Sequence, residues 1–176
     1  MKRRDLLKSA TLVAAANATA AFAATAFNTA APDQTKPERL SKIALEEHFI
    51  VPDFIDYLAE TFQNMSPEIA KLAPLALQDF GDKRIAIVDQ LQIDFVVLSI
   101  AGPGVQVERD AAVALKRSKS VNDFLAGEIQ KRPYRYGGFA HLPMQNPTEA
   151  ANELERCMHD LKFQGAMING QTNGVR

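Results

Sequence analysis

The sequence predicts an α/β fold with parallel strands. Three observations support this class: short apolar segments alternate with helical ones, the segment at residues 95–100 is apolar on both faces, and amphipathic helices separate the strands. Strands that are buried on both faces and joined by helices are typical of parallel βαβ units. The order of the elements leaves two architectures open, an open doubly wound sheet and part of a (β/α)8 barrel.

Four strands are predicted, each a short and largely apolar run. They lie at residues 42–47, 95–100, 136–142 and 165–169. The helices between them carry apolar residues at helical spacing. They lie within residues 51–72 as two short helices, at residues 82–91, at residues 108–131 and from residue 147 onward. Ser66 and Asn146 each precede a proline and are predicted N-caps. The count is four strands with three helical crossovers.

Composition excludes several classes of protein. The 176 residues contain 20 Lys and Arg against 21 Asp and Glu, without a basic stripe, so neither nucleic acid nor anionic lipid is an expected partner. A single cysteine, Cys157, rules out an internal disulfide and a zinc cluster built on cysteines. The segment containing Gly102 and Gly104 lacks the third glycine of a dinucleotide-binding loop and contains a proline, so nucleotide cofactors are not expected.

The N-terminus is predicted to be a leader that is separate from the fold. Residues 1–31 combine the pair Arg3-Arg4 with a weakly apolar, alanine-rich stretch, as in a twin-arginine signal peptide. A Sec signal or a disordered tail is the alternative, and no stable membrane span is expected. Residues 32–41 are a predicted linker and residues 42–176 the domain. The predicted location is the periplasm or beyond, or the cytoplasm if the leader is not a functional signal.

The pair Glu46-x-His48 is the strongest candidate for chemistry. Side chains two apart on a strand project to the same face, so a carboxylate and an imidazole converge at the end of the first strand. These are ligands that divalent metal ions accept. A structural salt bridge at the strand end is the alternative interpretation.

The chain resembles the amidohydrolase-related decarboxylases, the group that includes γ-resorcylate, dihydroxybenzoate, 5-carboxyvanillate and aminocarboxymuconate semialdehyde decarboxylases. Five segments carry the resemblance, which extends over almost everything after the leader. They are KIALEEHF at 42–49, DKRIAIVDQLQIDFVVLS at 82–99, residues 112–125, RPYRYGGFAHLP at 132–143 and GAMINGQTNG at 165–174. Two positions depart from the family pattern: Gln92 stands where a helix-ending glycine is frequent, and Gln171 where histidine is frequent.

The resemblance implies the N-terminal half of a TIM (β/α)8 barrel, with about four parallel strands and their crossover helices. It also implies one divalent metal ion, zinc or manganese, with Glu46 and His48 as the ligands from the first strand. Two further ligands, a histidine and an aspartate, are expected beyond Arg176. This chain is therefore expected to be a truncated form, in which the metal can be lost, of a protein that is a homo-oligomer at full length.

The implied activity is metal-dependent, nonoxidative decarboxylation of an aromatic or ene-type carboxylic acid, with a small carboxylic acid as substrate. A metal-dependent hydrolase on the same scaffold and a non-catalytic, associating half barrel are the alternatives. Ser99, His141 and Asn169, at or near strand ends, are the predicted substrate contacts. Capping is the alternative for Ser99 and Asn169, and a hydrogen-bonded core histidine for His141. No catalytic residue is assigned within the chain.

Overall fold

Four parallel strands form one sheet in the order β1-β2-β3-β4. The computed structural model describes residues 39–175, so the predicted leader and residues 32–38 of the predicted linker lie outside the described residues. The strands are β1 Ile43–Phe49, β2 Phe95–Ile100, β3 Tyr136–Ala140 and β4 Gly165–Ala166. Each neighbouring pair is parallel, which confirms the predicted α/β class.

Five α-helices connect the strands and follow the predicted order. They are α1 Ala59–Gln63, α2 Pro67–Leu77, α3 Asp82–Gln90, α4 Ala111–Lys131 and α5 Pro147–His159, with 3-10 turns at Pro52–Leu58 and Gly104–Val107. The predicted N-caps are confirmed: the side chain of Ser66 accepts from Ile69 N and that of Asn146 from Glu149 N. None of the described helices is long and apolar enough to cross a bilayer.

Strand β1 is longer than predicted and contains a bulge. Ala44 pairs with Val96, and the next recorded pair is Glu47 with Leu98. Between these two pairs β1 advances by three residues while β2 advances by two. One extra residue is therefore inserted just before Glu47. Downstream of the bulge the register is regular, with His48 paired to Ser99.

The helices pack on one face of the sheet. Gly138 on β3 lies against α4: a Cβ there would be 2.9 Å from Leu125 Cδ2 and 3.0 Å from Ile129 Cδ1. Leu98 is in register with Gly138 and so points to the same helix-covered face. Because side chains alternate, Val97 and Ser99 point to the opposite face. We refer to these two sides as the helix face and the open face; the name marks the side without α4, since Val97 and Ser99 on it are themselves buried.

An apolar groove of about 1100 Å³ lies beside β1, bordered by α2 and α3. Four large apolar side chains in its lining are more than half exposed. They are Leu72 (60 %), Leu75 (66 %), Ile87 (57 %) and Leu91 (57 %). Strand β1 is an edge of the sheet, and no other strand within residues 39–175 pairs with its outer side. This edge and this groove together form an apolar surface next to the predicted metal ligands.

Gln92 adopts a left-handed backbone conformation directly after α3, with φ 57°. A residue with a Cβ is disfavoured there by roughly 1 kcal/mol, whereas glycine is not. Gln92→Gly is therefore expected to raise the free energy of unfolding by about 1 kcal/mol, measured by urea denaturation.

Gln90 is the matched control, because it is the last residue of α3. Gln90→Gly is expected to lower the free energy of unfolding, since glycine is unfavourable inside a helix. Equal effects of the two substitutions would contradict the explanation from backbone conformation.

Candidate metal and substrate site

Glu46 and His48 lie near the carboxyl end of β1 with exposed side chains. Glu47, between them, is in register with Leu98 and so points to the helix face. By alternation Glu46 and His48 point to the open face, together with Ser99. Glu46 itself lies in the bulge, where it and Leu45 together stand opposite Val97, whose side chain also points to the open face. A carboxylate and an imidazole are thus presented side by side on an accessible edge strand.

Ser99 orients the imidazole of His48. The Oγ atom of Ser99 lies 3.0 Å from His48 Nδ1, within hydrogen-bonding distance, and Ser99 itself is 1 % exposed. With Nδ1 engaged, Nε2 is the ring nitrogen left for another partner. Histidine ligands of metal ions use this arrangement, in which the second ring nitrogen bonds to a neighbouring group that fixes the ring.

Arg84 of α3 holds the end of β1 in place from the helix face. Its Nη2 donates to the carbonyl oxygen of His48 at 2.9 Å, and its Nε donates to that of Asp79 at 2.7 Å. Its Nη1 lies 3.7 Å from the carboxylate of Glu47, and the side chain is 11 % exposed. The backbone that carries both candidate ligands is therefore fixed by one guanidinium group.

His141 lies just after β3 and is buried, with 2 % exposure. Its Nε2 accepts a hydrogen bond from Val105 N at 2.8 Å, and its ring packs edge-on against Phe54. Burial lowers the pKa of His141 to about 4, so the ring is neutral at neutral pH. The imidazole supports the loop that follows β2. A contact between His141 and substrate stays a prediction.

Gln106 fixes the segment that follows β4. Its side chain is 1 % exposed, and its Oε1 accepts from Asn169 N at 2.7 Å and from Asn169 Nδ2 at 3.0 Å. Its Nε2 donates to the carbonyl oxygens of Asn169 and Gln171 at 3.1 and 2.9 Å. Asn169 also lies against the loop after β2, where a Cβ on Gly102 would be 2.4 Å from its Oδ1.

The structure brings the predicted residues together in two groups at the carboxyl ends of the strands. His48 and Ser99 are bonded to each other, with Glu46 beside them on the open face. His141 and Asn169 both contact the loop at residues 102–106, which separates them. A role for Ser99 or Asn169 in binding substrate stays a prediction.

The donor set suits a divalent ion but is incomplete. Glu46 offers a carboxylate and His48 a free Nε2, the donors that zinc and manganese accept. Residues 39–175 contain no group of three or more His, Cys, Asp or Glu side chains able to hold a metal. A bound ion normally has at least three protein ligands. The two residues fit part of such a site.

Cys157 and His159 on α5 stand outside this arrangement. Burial, followed by the charge of Glu153, raises the pKa of the Cys157 thiol to about 12, so it is not a nucleophile at neutral pH. His159 is exposed.

Sequence reasoning missed Arg84 and Gln106. Arg84 sits in an ordinary charged helix start, and its partners are backbone carbonyls that no pattern identifies. Gln106 lies between Val105 and Val107. An amide side chain between two apolar residues could have been predicted to be buried, and a buried amide needs hydrogen-bond partners.

The chain matches known proteins over most of the described residues. The Amidohydrolase family model matches residues 75–176, more than half of the chain. Gamma-resorcylate decarboxylase of Polaromonas sp. (strain JS666) is 41% identical over 130 residues, which are 73% of this chain and 39% of that protein. Gamma-resorcylate decarboxylase of Rhizobium sp. (strain MTP-10005) is 39% identical over 129 residues, 73% of this chain and 38% of that protein.

Solved structures of related decarboxylases are also similar to this chain in fold. A dihydroxybenzoic acid decarboxylase from Polaromonas sp. JS666, with bound manganese and the inhibitor 2-nitroresorcinol, superposes with a TM-score of 0.69 at 39% identity. That match covers 74% of this chain and 38% of the other. A 5-carboxyvanillate decarboxylase from Novosphingobium aromaticivorans, also with manganese, gives a TM-score of 0.71 at 34% identity, covering 76% of this chain and 43% of the other. This chain thus spans about two fifths of the length of these relatives.

Proposed function

Because the chain belongs to the amidohydrolase family, we propose that it serves metal-dependent, nonoxidative decarboxylation of an aromatic acid with a hydroxyl beside the carboxylate. The observation that carries the proposal is the pair Glu46 and His48, presented on the open face of β1 in a chain 41% identical to a gamma-resorcylate decarboxylase. The relatives described above are decarboxylases of small aromatic acids, and three of the similar solved structures contain manganese.

In the proposed site Glu46 and His48 are ligands of one divalent ion, zinc or manganese. When bound, the ion would supply positive charge for holding an anionic substrate and for stabilising charge that develops on its ring. Ser99 keeps the imidazole of His48 oriented through Nδ1, so that Nε2 is available. Arg84 keeps the strand end that carries both ligands in position.

The remaining predicted residues are assigned to the substrate side of the site. Asn169 presents a carboxamide in the segment that follows β4, fixed by Gln106. His141, buried beneath the loop after β2, keeps that loop in place through Val105 and can reach substrate only if the loop moves. The proton that replaces carbon dioxide on the ring requires a donor, which the family resemblance assigns to an aspartate outside these residues.

The proposed activity belongs to a protein in which further ligands complete the metal site. The chain spans 39% of the length of the Polaromonas relative, and only two of the implied ligands lie within it.

The test is carbon dioxide release from 2,6-dihydroxybenzoate by protein loaded with manganese or zinc. Benzoate, which lacks the neighbouring hydroxyl, is the control substrate and is expected to be inert. Glu46→Gln and His48→Gln are each expected to lower kcat/KM by at least about 100-fold, since each removes a ligand. Ser99→Ala keeps both ligands and is expected to weaken metal binding by about 10- to 100-fold.

Two results would contradict the proposal. One is metal-loaded protein that releases no carbon dioxide from any hydroxybenzoate but hydrolyses an amide, which would support the hydrolase alternative. The other is activity that does not change in the Glu46 and His48 variants.

A further inference from the structure

We infer that Asn169 presents its carboxamide oxygen to the substrate and so recognises a group that donates a hydrogen bond, a second ring hydroxyl rather than the carboxylate. The inference rests on the proposed function, because it takes the substrate to lie at the carboxyl ends of the strands. Gln106 acts through Asn169 as a positioning residue, since its side chain determines which end of the Asn169 carboxamide is left to bind another molecule.

The orientation of the Gln106 side chain is determined by backbone groups. Its Oε1 lies 2.7 Å from the backbone N of Asn169, which can only donate. Its Nε2 lies 3.1 and 2.9 Å from the carbonyl oxygens of Asn169 and Gln171, which can only accept. A flipped amide would place donor against donor and acceptor against acceptor in a residue that is 1 % exposed. The two ends of the Gln106 amide are therefore not interchangeable.

The orientation of the Asn169 carboxamide follows from that of Gln106. One end of the carboxamide lies 3.0 Å from Gln106 Oε1 and 3.3 Å from the carbonyl oxygen of Pro103. Both of these neighbours are acceptors, so the atom beside them is Nδ2, which has one N–H for each. The NH2 group is thereby used, and Oδ1 is the end that can accept from another molecule. All of these bonds join residues within 39–175, so the polarity of the carboxamide does not depend on other parts of the protein.

The Oδ1 atom of Asn169 lies beside the strand end that carries the candidate ligands. It lies against Gly102, where an added Cβ would overlap it. Gly102 follows Ala101, whose N–H donates to the carbonyl oxygen of Phe49 at 2.8 Å, and Phe49 follows His48. Asn169 itself is only partly buried. The acceptor is therefore placed over the carboxyl ends of the strands, where barrel enzymes bind their substrates.

The polarity of this carboxamide decides which group of the substrate it can bind. An ionised carboxylate has only acceptors and cannot bond to Oδ1, whereas a phenolic hydroxyl can donate to it. The proposed substrate has one hydroxyl beside its carboxylate, and 2,6-dihydroxybenzoate has a second one on the other side. An analogue without this second donor leaves Oδ1 of Asn169 without its partner. Because Asn169 is only partly buried, we expect roughly 10-fold discrimination, the value of one neutral hydrogen bond.

The test measures dissociation constants by isothermal titration calorimetry on the metal-loaded protein of the decarboxylation assay. The ligands are 2,6-dihydroxybenzoate and 2-hydroxy-6-methoxybenzoate, in which a methyl group replaces the donated hydrogen. A third ligand, 2-hydroxybenzoate, lacks the group altogether and controls for the bulk of the methyl group. The dihydroxy acid is expected to bind roughly 10-fold more tightly than either of the others.

Three variants test whether the Asn169 carboxamide is responsible. Asn169→Ala is expected to reduce the ratio of dissociation constants roughly 10-fold, and Gln106→Met should also reduce it, because the carboxamide is then free to turn. Gln145→Met is the matched control: Gln145 Nε2 donates to the carbonyl oxygen of Glu108 at 2.7 Å in the same loop. Its amide does not bond to Asn169, so this variant should keep the ratio. A general loss of structure weakens the binding of all three acids alike and leaves the ratio unchanged.

Four results would overturn the inference. They are a ratio that Asn169→Ala leaves unchanged, tighter binding of the methyl ether than of the dihydroxy acid, a loss of the ratio in Gln145→Met as large as in Gln106→Met, and binding of none of the three acids. A failure of the proposed function looks different: the ratio and its response to the variants are as expected, but no carbon dioxide is released.

Discussion

Replacing Arg156 by methionine is expected to lower the free energy of unfolding by roughly 3–5 kcal/mol, because it leaves the carboxylate of Glu153 buried without its charge partner. The Glu153 side chain is 0 % exposed, and Arg156 donates to it twice, from Nε at 2.8 Å and from Nη2 at 2.7 Å. Burial by itself would raise the pKa of Glu153. The hydrogen bonds from Arg156 and Asn122 outweigh burial and hold that pKa below its ordinary value.

The same carboxylate links three elements. Asn122 on α4 donates to Glu153 Oε1 at 2.8 Å and to the carbonyl oxygen of His141 at 3.0 Å. Its own Oδ1 accepts from His141 N at 2.9 Å. Helices α4 and α5 are thereby bonded to the end of β3. Because Asn122 also bonds to the backbone of His141, loss of Arg156 is expected to loosen His141 as well.

Urea denaturation at pH 7 measures the effect, and Arg132 provides the matched control. Its side chain is 30 % exposed, close to the 28 % of Arg156, but its partner Asp82 is 100 % exposed. Arg132→Met is expected to cost less than about 1 kcal/mol, the range for surface ion pairs. The double variant with Glu153→Gln should be more stable than Arg156→Met alone, since no charge is then buried unpaired. Similar losses in Arg156→Met and Arg132→Met would contradict this account.

The sequence predicted most of the fold because local signals and burial agree there. Residues 95–100 are apolar except for Ser99, and β2 occupies that range with all but Phe95 buried. Ser66 and Asn146 cap helices as their positions predict. Gln92, expected at a position that favours glycine, has the positive φ that such a position requires.

The features that the sequence did not predict, the extent of β1 and the ion pair of Glu153, depend on tertiary contacts. Strand β1 extends through Phe49 because it pairs with β2 to that residue, and the bulge before Glu47 follows from the same pairing. Glu153 recurs at the spacing of Ala150 and Cys157, so the helical periodicity alone would have placed it on the buried side of α5. A carboxylate on the buried side of a helix needs a hydrogen-bonding or charged partner. The sequence does not tell which residue is that partner of Glu153.

For the candidate site, the sequence predicted a shared strand end for Glu46 and His48 but not the contacts around them. Alternation predicts a common face for Glu46 and His48; the register with β2 pairs His48 with Ser99, while Glu46 lies in the bulge opposite Val97. The bond between Ser99 and His48 depends on two strands 51 residues apart in sequence being neighbours, and pairing of strands cannot be read from either one. For His141 the sequence left two interpretations open, and the hydrogen bond from Val105 depends on a loop conformation that no motif encodes.

Lowering the pH from 7 to 5 is expected to reduce the free energy of unfolding by roughly 2 kcal/mol through His141 alone. The pKa of this buried imidazole is about 4 against an ordinary 6.5, so between these values the unfolded chain binds a proton that the folded chain does not. Stability from this group is therefore complete above about pH 6.5 and is lost as the pH falls toward 4. Protonation also places an N–H at Nε2, facing the N–H of Val105, which removes their hydrogen bond.

Urea denaturation at several pH values between 4.5 and 7 measures this dependence, because in this window residue 141 is protonated in the unfolded chain but largely neutral in the folded chain. The matched variant is His141→Gln, whose side-chain oxygen can still accept from Val105 N but does not titrate. Between pH 7 and pH 5, the free energy of unfolding of this variant should fall by roughly 2 kcal/mol less than that of the natural chain. Because His48 and His159 are present in both proteins, only the difference between the two curves reports on His141. If the two plots of unfolding free energy against pH were parallel, the imidazole of His141 would not be buried in its neutral form. The support that His141 gives to the loop after β2 would then be contradicted as well.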